Sequence, residues 1–204
     1  MARLIIYGTG GHGREMLQAA RDDSREKAFL DDGPDADGGG VPLITLAQVS
    51  PDDEIALAVG SPALRRQLSE NCRGRRFATI IAPTAVIDPT AVIGEGAQIC
   101  DFCTINSLVR IGRHFQCNSY SAVHHDCVIG DFVTFSPGTR CLGNVHIGDD
   151  VFVGAGAVIR NGRPGRPIRI GEGATIGMGA IVVADVPAGA TVVGNPARPL
   201  RPQD

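Results

Sequence analysis

An apolar residue stands at every sixth position from Ile81 onward: Ile87, Ile93, Ile99, Ile105, Ile111, Cys117, Val123, Ile129, Phe135, Cys141, Ile147, Val153 and Ile159. In a chain that is 43% hydrophobic, fourteen hits in one phase have a chance probability on the order of one in a hundred thousand. Two residues earlier runs a smaller series, Ala85, Ala91, Ala97, Cys103, Val109, Ser121, Cys127, Val133, Thr139, Val145, Val151 and Ala157, with Phe115 as its bulky exception. Alternate residues of a strand face the same way, so each six-residue unit reads as a short strand and a corner. Gly94, Gly112, Gly130, Gly148 and Gly154 follow the large position by one residue, where the bend is expected to need permissive backbone angles. A repeat of this kind, with β-branched interior residues, predicts a parallel β-helix.

The period breaks at 160–167 and resumes with Ile170-Gly171, Ile176-Gly177 and Val182, so 160–167 is expected to loop out between coils. The chain then closes on Val193-Gly194-Asn195-Pro196-Ala197. With these features residues 79–196 resemble the hexapeptide-repeat acyltransferase family. The resemblance implies a left-handed triangular β-helix with three rungs per coil, assembled as a homotrimer with grooves for acetyl-CoA between subunits.

Composition narrows the partners. The net charge is −3 and no basic run exists, which argues against nucleic acid. No apolar run approaches the ~20 residues that span a bilayer, and Met1-Ala2-Arg3 leads into a short strand, so a cytoplasmic protein is expected. The 27 Gly and 13 Pro fit a turn-dense fold. Of six cysteines only Cys100 and Cys103 form a CxxC, without the second pair a zinc site needs. Cys103, Cys117, Cys127 and Cys141 fall on inward phases, as reduced thiols packed like small hydrophobes.

Ahead of the repeats, residues 3–7 read as a buried strand, 14–22 as an amphipathic helix, 28–30 and 55–59 as further strands, and Pro62–Asn71 as a second helix. This order predicts a small parallel-sheet, Rossmann-like α/β domain at 1–76, followed by the β-helix domain at 77–204. Between the first strand and helix lies Gly8-Thr9-Gly10-Gly11-His12-Gly13, a GxGxxG, with Asp31-Asp32 at the expected distance. A dehydrogenase would need two such halves and a substrate domain, and too little chain precedes the repeats. Glycines at a strand end still expose amides to a phosphate, so a nucleotide-linked ligand fits without redox chemistry. The alternative is a tight turn and a solvated acidic pair.

The glycine loop, Phe29-Leu30-Asp31-Asp32 and the repeats together make residues 1–200 similar to the sialic-acid O-acetyltransferase-like group, and within it to nucleotide-activated amino-sugar N-acetyltransferases. That resemblance implies that Gly10, Gly11, His12, Asp31, Asp32 and Gly60 hold a nucleotide sugar.

Acetyl transfer to an amine needs a base and a stabilised oxyanion. Of five histidines, His12 belongs to the glycine loop, and His114 and His146 stand on outward phases, where a solvated surface role is expected. His124 and His125 occupy the corner after Val123, and Asp126 follows. The family motif, His then an acidic residue, implies His125 as general base and Asp126 as its orienting partner. The role of His124 stays open. Gly143 falls one coil beyond His125 at the same corner, about 4.8 Å away if the strand spacing holds. In related acyltransferases a backbone amide there binds the acetyl carbonyl. The resemblance further implies that Asn118 contacts substrate or braces the His from a neighbouring subunit, and places Thr134, Ala155 and Met178 at cofactor positions, Thr134 being a hydroxyl where the family often has a His. Arg160, Arg163, Arg166 and Arg169 cluster around the break, either as a solvated loop or facing coenzyme A phosphates.

The expectation is an acetyl-CoA-dependent N-acetyltransferase acting on a nucleotide-linked amino sugar, a 4-amino-4,6-dideoxyhexose, by direct attack and without metal. O-acetylation of a sugar such as a sialic acid and a non-catalytic sugar-nucleotide-binding trimer are the alternatives. A γ-type carbonic anhydrase would need a closely spaced His pair that this chain lacks.

Overall fold

Leu4–Tyr7 is a run of four buried apolar residues and forms β1 at the centre of a five-stranded sheet. A strand flanked on both sides and buried on both faces reads as such a run. After it come α1 (Gly11–Ala19), β2 (Lys27–Leu30), β3 (Leu43–Ile44), β4 (Glu54–Leu57), α2 (Pro62–Asn71) and β5 (Arg76–Phe77), with strand order β3-β2-β1-β4-β5. All pairings are parallel. Helix α2 begins with Ser61 as its cap, accepting from the Leu64 N–H, and Pro62 in the first turn, a start that removes one orphan donor and caps another. Helix α1 begins three residues earlier than the amphipathic pattern suggests, inside the glycine loop. Strands β3 and β5, two residues each, carried no pattern long enough to read.

The computed structural model describes residues 2–33 and 36–200. Met1 and 201–204, the outer ends of the expected domains, lie outside the described residues.

From Ile80 the chain winds into a left-handed parallel β-helix with three faces. Face one carries Ile80–Ile81, Gln98–Ile99, Gln116–Cys117, Thr134–Phe135, Phe152–Val153, Thr175–Ile176 and Thr191–Val193, and ends on antiparallel Arg198–Pro199. Face two runs from Val86–Ile87 to Ile181–Val182, and face three from Val92–Ile93 to Ile168–Ile170. The large series stacks in register, Ile99 on Cys117 on Phe135 on Val153. It is buried from Ile99 to Ile159, whereas Ile81, with no coil beneath it, is 43% exposed. Phe115 fits the small series because it packs edge-on against Phe135 in the interior, centroids 5.2 Å apart. All six cysteines are free and buried, Cys100 included. After Val153 the register jumps to Ile176, since 160–167 leaves the coil as a turn closed by reciprocal Arg163 and Arg166 backbone bonds.

The expectation for the corner glycines is corrected. Positive φ occurs two residues after them, at Gly96, His114, Phe132, Asp150 and Gly156, and at Phe102, Leu108, Tyr120, Asp126, Gly138 and Asn144 on the other corners. Gly94, Gly112, Gly130, Gly148 and Gly154 are needed because coils touch there. A Cβ on Gly94 would lie 2.6 Å from the Gly112 carbonyl, and one on Gly154 would lie 2.6 Å from the Met178 nitrogen.

The α/β domain covers the outside of face one. Ile80, Gln98, Gln116 and Thr134 point outward yet are buried beneath it. No helix among the described residues is long and apolar enough to cross a membrane.

Candidate active site

The end of β1, the glycine loop and the end of β4 surround a cleft of about 430 Å³, lined among others by Tyr7, Gly10, Gly11, His12, Asp31, Asp32, Val59 and Leu64. Five of the six residues expected to hold a nucleotide sugar meet there, and Gly60 follows Val59. The loop glycines serve two ends. A Cβ on Gly13 would lie 1.9 Å from the Gly8 carbonyl oxygen, and Gly8 itself has φ +117°, so these two make the turn possible. Nothing lies within 4 Å of a Cβ on Gly10, Gly11 or Gly60, which keeps the space beside them open.

Asp31 braces this loop: one carboxylate oxygen accepts from the Thr9 N–H (2.7 Å) and hydroxyl (2.6 Å), the other from the Gly33 N–H (2.9 Å). Burial pushes its carboxyl up, but these bonds outweigh it and hold the group below the usual range. Asp32 accepts from the Tyr7 hydroxyl, which burial and the Asp32 carboxylate push well up, so Tyr7 stays a donor. His12 lies between Glu15 (3.3 Å) and Gln98 of the β-helix (3.2 Å), and burial lowers its pKa.

A second group forms on the edge where face two turns into face three. His125 Nδ1 stands 2.8 Å from Asp126 Oδ2. Donation from Nδ1–H to the carboxylate leaves Nε2 as the free base, at a side chain that is 56% exposed. Gly143 is stacked directly on it: a Cβ there would lie 2.5 Å from both Cε1 and Nε2. The missing side chain therefore makes room for the imidazole itself. His124 Nδ1 lies 3.3 Å from Asn106 Nδ2 one coil below, and burial, then the neighbouring His125, lowers its pKa. The loop at 160–167 leaves the same edge one coil above Gly143, where Gly162 N–H donates to the Gly143 carbonyl. Arg160, Arg163, Arg166 and Asp185 border a cavity of about 580 Å³ there.

The comparisons cover both halves. Residues 3–72 match the family described as the PglD N-terminal domain. The GDP-perosamine N-acetyltransferase of Escherichia coli O157:H7 is 40% identical over 210 residues, which cover 96% of this chain and 95% of that one. The chain belongs to the hexapeptide-repeat nucleotide-sugar N-acetyltransferases. Among solved structures, WeeI from Acinetobacter baumannii AYE superposes with a TM-score of 0.92 at 39% identity, covering 98% of this chain and 100% of that one. The acetyltransferase domain of PglB from Neisseria gonorrhoeae FA1090, in complex with acetyl coenzyme A, gives 0.88 at 36%, covering 97% and 98%.

Within this acetyltransferase fold the other expected residues lie apart from His125. Asn118, Ala155 and Met178 stand on the edge between faces one and two; Met178 is 80% exposed, while the Asn118 amide is buried and donates to the Phe135 carbonyl (2.8 Å). Thr134 requires a correction. Expected at a cofactor position, it is 1% exposed under the α/β domain, where its hydroxyl donates to the Gly60 carbonyl (2.9 Å) and accepts from Arg65 (2.9 Å). His114 is corrected too: it is buried between Phe77 and Phe132, because its corner lies under the same domain. His146 stays partly exposed on face three, with its pKa lowered by burial and then by Arg169.

Sequence reasoning missed Tyr7 and Arg65. Arg65 is fully buried, and burial lowers its pKa to about 9, which leaves it charged at neutral pH. The buried side of α2 carries Pro62, Arg65 and Ser69, so no apolar stripe marks Arg65 in the sequence.

Proposed function

We propose that this protein transfers the acetyl group of acetyl-CoA to the 4-amino group of a GDP-linked 4-amino-4,6-dideoxyhexose of the perosamine type. The observation that carries the reading is the His125–Asp126 pair with Gly143 stacked on its imidazole, at an open edge of the β-helix. Acetyl-CoA fits that edge because the base is exposed and the adjoining loop supplies Arg160, Arg163 and Arg166 for phosphate. The sugar amine attacks the thioester carbonyl as Nε2 of His125 takes its proton. The Gly143 amide stabilises the oxyanion, and the C–S bond breaks as the His125 imidazolium returns its proton to the sulfur, releasing the thiol. Asp126 keeps Nδ1 protonated and stabilises the imidazolium that forms. No cysteine is placed to act as nucleophile, since all six are buried.

The nucleotide sits in the cleft beside Gly10, Gly11 and Gly60. The α/β domain that carries this cleft covers face one, and the His125 edge is the one opposite that face. In a homotrimer the His125 edge of one chain would meet a neighbour's edge between faces one and two, which carries Asn118, Ala155 and Met178 and borders the face that the neighbour's α/β domain covers. The reaction belongs in the cytoplasm, where acetyl-CoA and nucleotide sugars are both available.

Turnover of acetyl-CoA, followed by release of free thiol, tests the reading against GDP-, UDP- and dTDP-linked 4-amino-4,6-dideoxyhexoses and against free sialic acid. Preference for the GDP-linked amine is expected. Activity on a hydroxyl acceptor alone, or on no acceptor, overturns it.

A further inference from the structure

Arg65 spends its guanidinium on uncharged oxygens from both domains. Nε donates to the His114 carbonyl (3.0 Å), Nη1 to the Val59 carbonyl (2.7 Å) and Gln116 Oε1 (3.0 Å), and Nη2 to the Phe132 carbonyl (2.7 Å) and Thr134 Oγ1 (2.9 Å). Burying a charge without a countercharge is costly, and apolar packing would join two domains without that cost. The placement has a consequence in the loop that enters α2. The Val59 carbonyl is held against the β-helix by Arg65, and the Gly60 carbonyl by the Thr134 hydroxyl at 2.9 Å and, at a longer 3.4 Å, by Arg65 Nη1.

Both peptides are trans, and in a trans peptide the N–H lies opposite the C=O. The N–H groups of Gly60 and Ser61 are thereby turned away from the β-helix, and neither donates to a protein acceptor among the described residues. They stand between Val59 and Leu64, which line the nucleotide cleft, at the amino terminus of a ten-residue helix. Two such amides suit a phosphate oxygen. No side chain on Gly60 shields them.

We propose that Arg65 is a positioning residue for the nucleotide sugar: acting directly on the Val59 and Gly60 carbonyls, and on Gly60 also through Thr134, it presents the Gly60 and Ser61 amides to the ligand's diphosphate. This rests on the nucleotide-sugar reading above. It also gives the buried Thr134 a part in binding the acceptor substrate rather than the acetyl donor.

The test uses the 204-residue chain with Arg65→Lys and, separately, Thr134→Val, which keeps the volume and removes the hydroxyl's bond to Gly60. GDP affinity is measured by calorimetry, and the two KM values by steady-state kinetics. One lost hydrogen bond to the loop should weaken GDP and raise the nucleotide-sugar KM about tenfold, with the acetyl-CoA KM within about twofold of wild type. If wild type binds GDP and folded variants match it, the role of Arg65 falls and the function stands. Equal rises in both KM values also overturn the role, because they mark general loosening. If wild type binds none of GDP, UDP and dTDP, the functional reading falls first. Should Arg65→Lys fail to fold, Thr134→Val alone decides.

Discussion

At the scale of single residues the molecule separates groups that do chemistry from groups that make room for it. His125 keeps an exposed Nε2 because Asp126 takes Nδ1 and Gly143 vacates the space the ring fills. His125→Ala should lower kcat by about 10²- to 10⁴-fold, and Asp126→Asn by about tenfold, with the acetyl-CoA KM little changed. A His125→Ala enzyme that kept a tenth of wild-type kcat would exclude this residue as the base. His114 is a different kind of histidine. Its Nδ1 is buried without a hydrogen-bond partner among the described residues, and its ring is stacked on Phe132 at 4.8 Å. Burial, then the charges of Arg65 and Arg113, lowers its pKa to about 4. The folded value lies below the unfolded one of 6.5, so the unfolded chain takes up the proton first as pH falls. The stability tied to a neutral His114 is complete above 6.5 and is lost as pH falls through about 4. Thermal melts from pH 7.5 to 4.5 should show wild type losing Tm faster than His114→Phe, and parallel curves would remove His114 from the acid sensitivity.

At the scale of elements, the period in large apolar residues specified the β-helix, its coil and the loop at 160–167, because a repeated strand must put the same phase inside at every turn. The same 18-residue coil makes His125 and Gly143 neighbours. What the period hid were contacts whose partners are distant in sequence. Gln98, Gln116 and Thr134 sit on an outward phase, and only their bonds to Leu57, Arg65 and Gly60 explain their burial. The corner glycines were located correctly and explained wrongly, since a one-coil view cannot show the next coil pressing on them. Gly112→Ala would put a Cβ 2.4 Å from Asp131 Oδ1 and 2.7 Å from the Gly130 carbonyl carbon, whereas Gly138→Ala, at φ +72°, meets nothing closer than 3.9 Å. The first should cost about 2–3 kcal/mol by overpacking, the second about 1 kcal/mol of backbone strain. Urea denaturation midpoints in the reverse order would return the bend to Gly112.

At the scale of the whole molecule, the expected site residues lie in separate places that one chain does not bring together. His125 and Gly143 occupy the edge between faces two and three, and Asn118, Ala155 and Met178 the edge between faces one and two. The stacked coils of the β-helix hold these two edges apart, and the α/β domain is docked on face one. Arg21 pairs with Asp101 at 2.7 Å, and Arg66 pairs with Asp150 at 2.7 Å while stacking on Phe132. Reorientation of the two domains would leave both edges of the β-helix where they are, so the proposed route to a complete site is a neighbouring chain. In a trimer each site would join one chain's His125 edge to the next chain's Met178 edge. His125→Ala and Met178→Asp chains should each be nearly inactive alone. Refolded together from equal amounts, about one site in four would join an intact His125 to an intact Met178 edge, restoring about a quarter of wild-type activity. Mixing the two without dissociation should restore none. If co-refolded chains stay as inactive as the separate variants, while each sediments as a folded trimer, the site does not span two subunits and Met178 must act beside its own chain's His125.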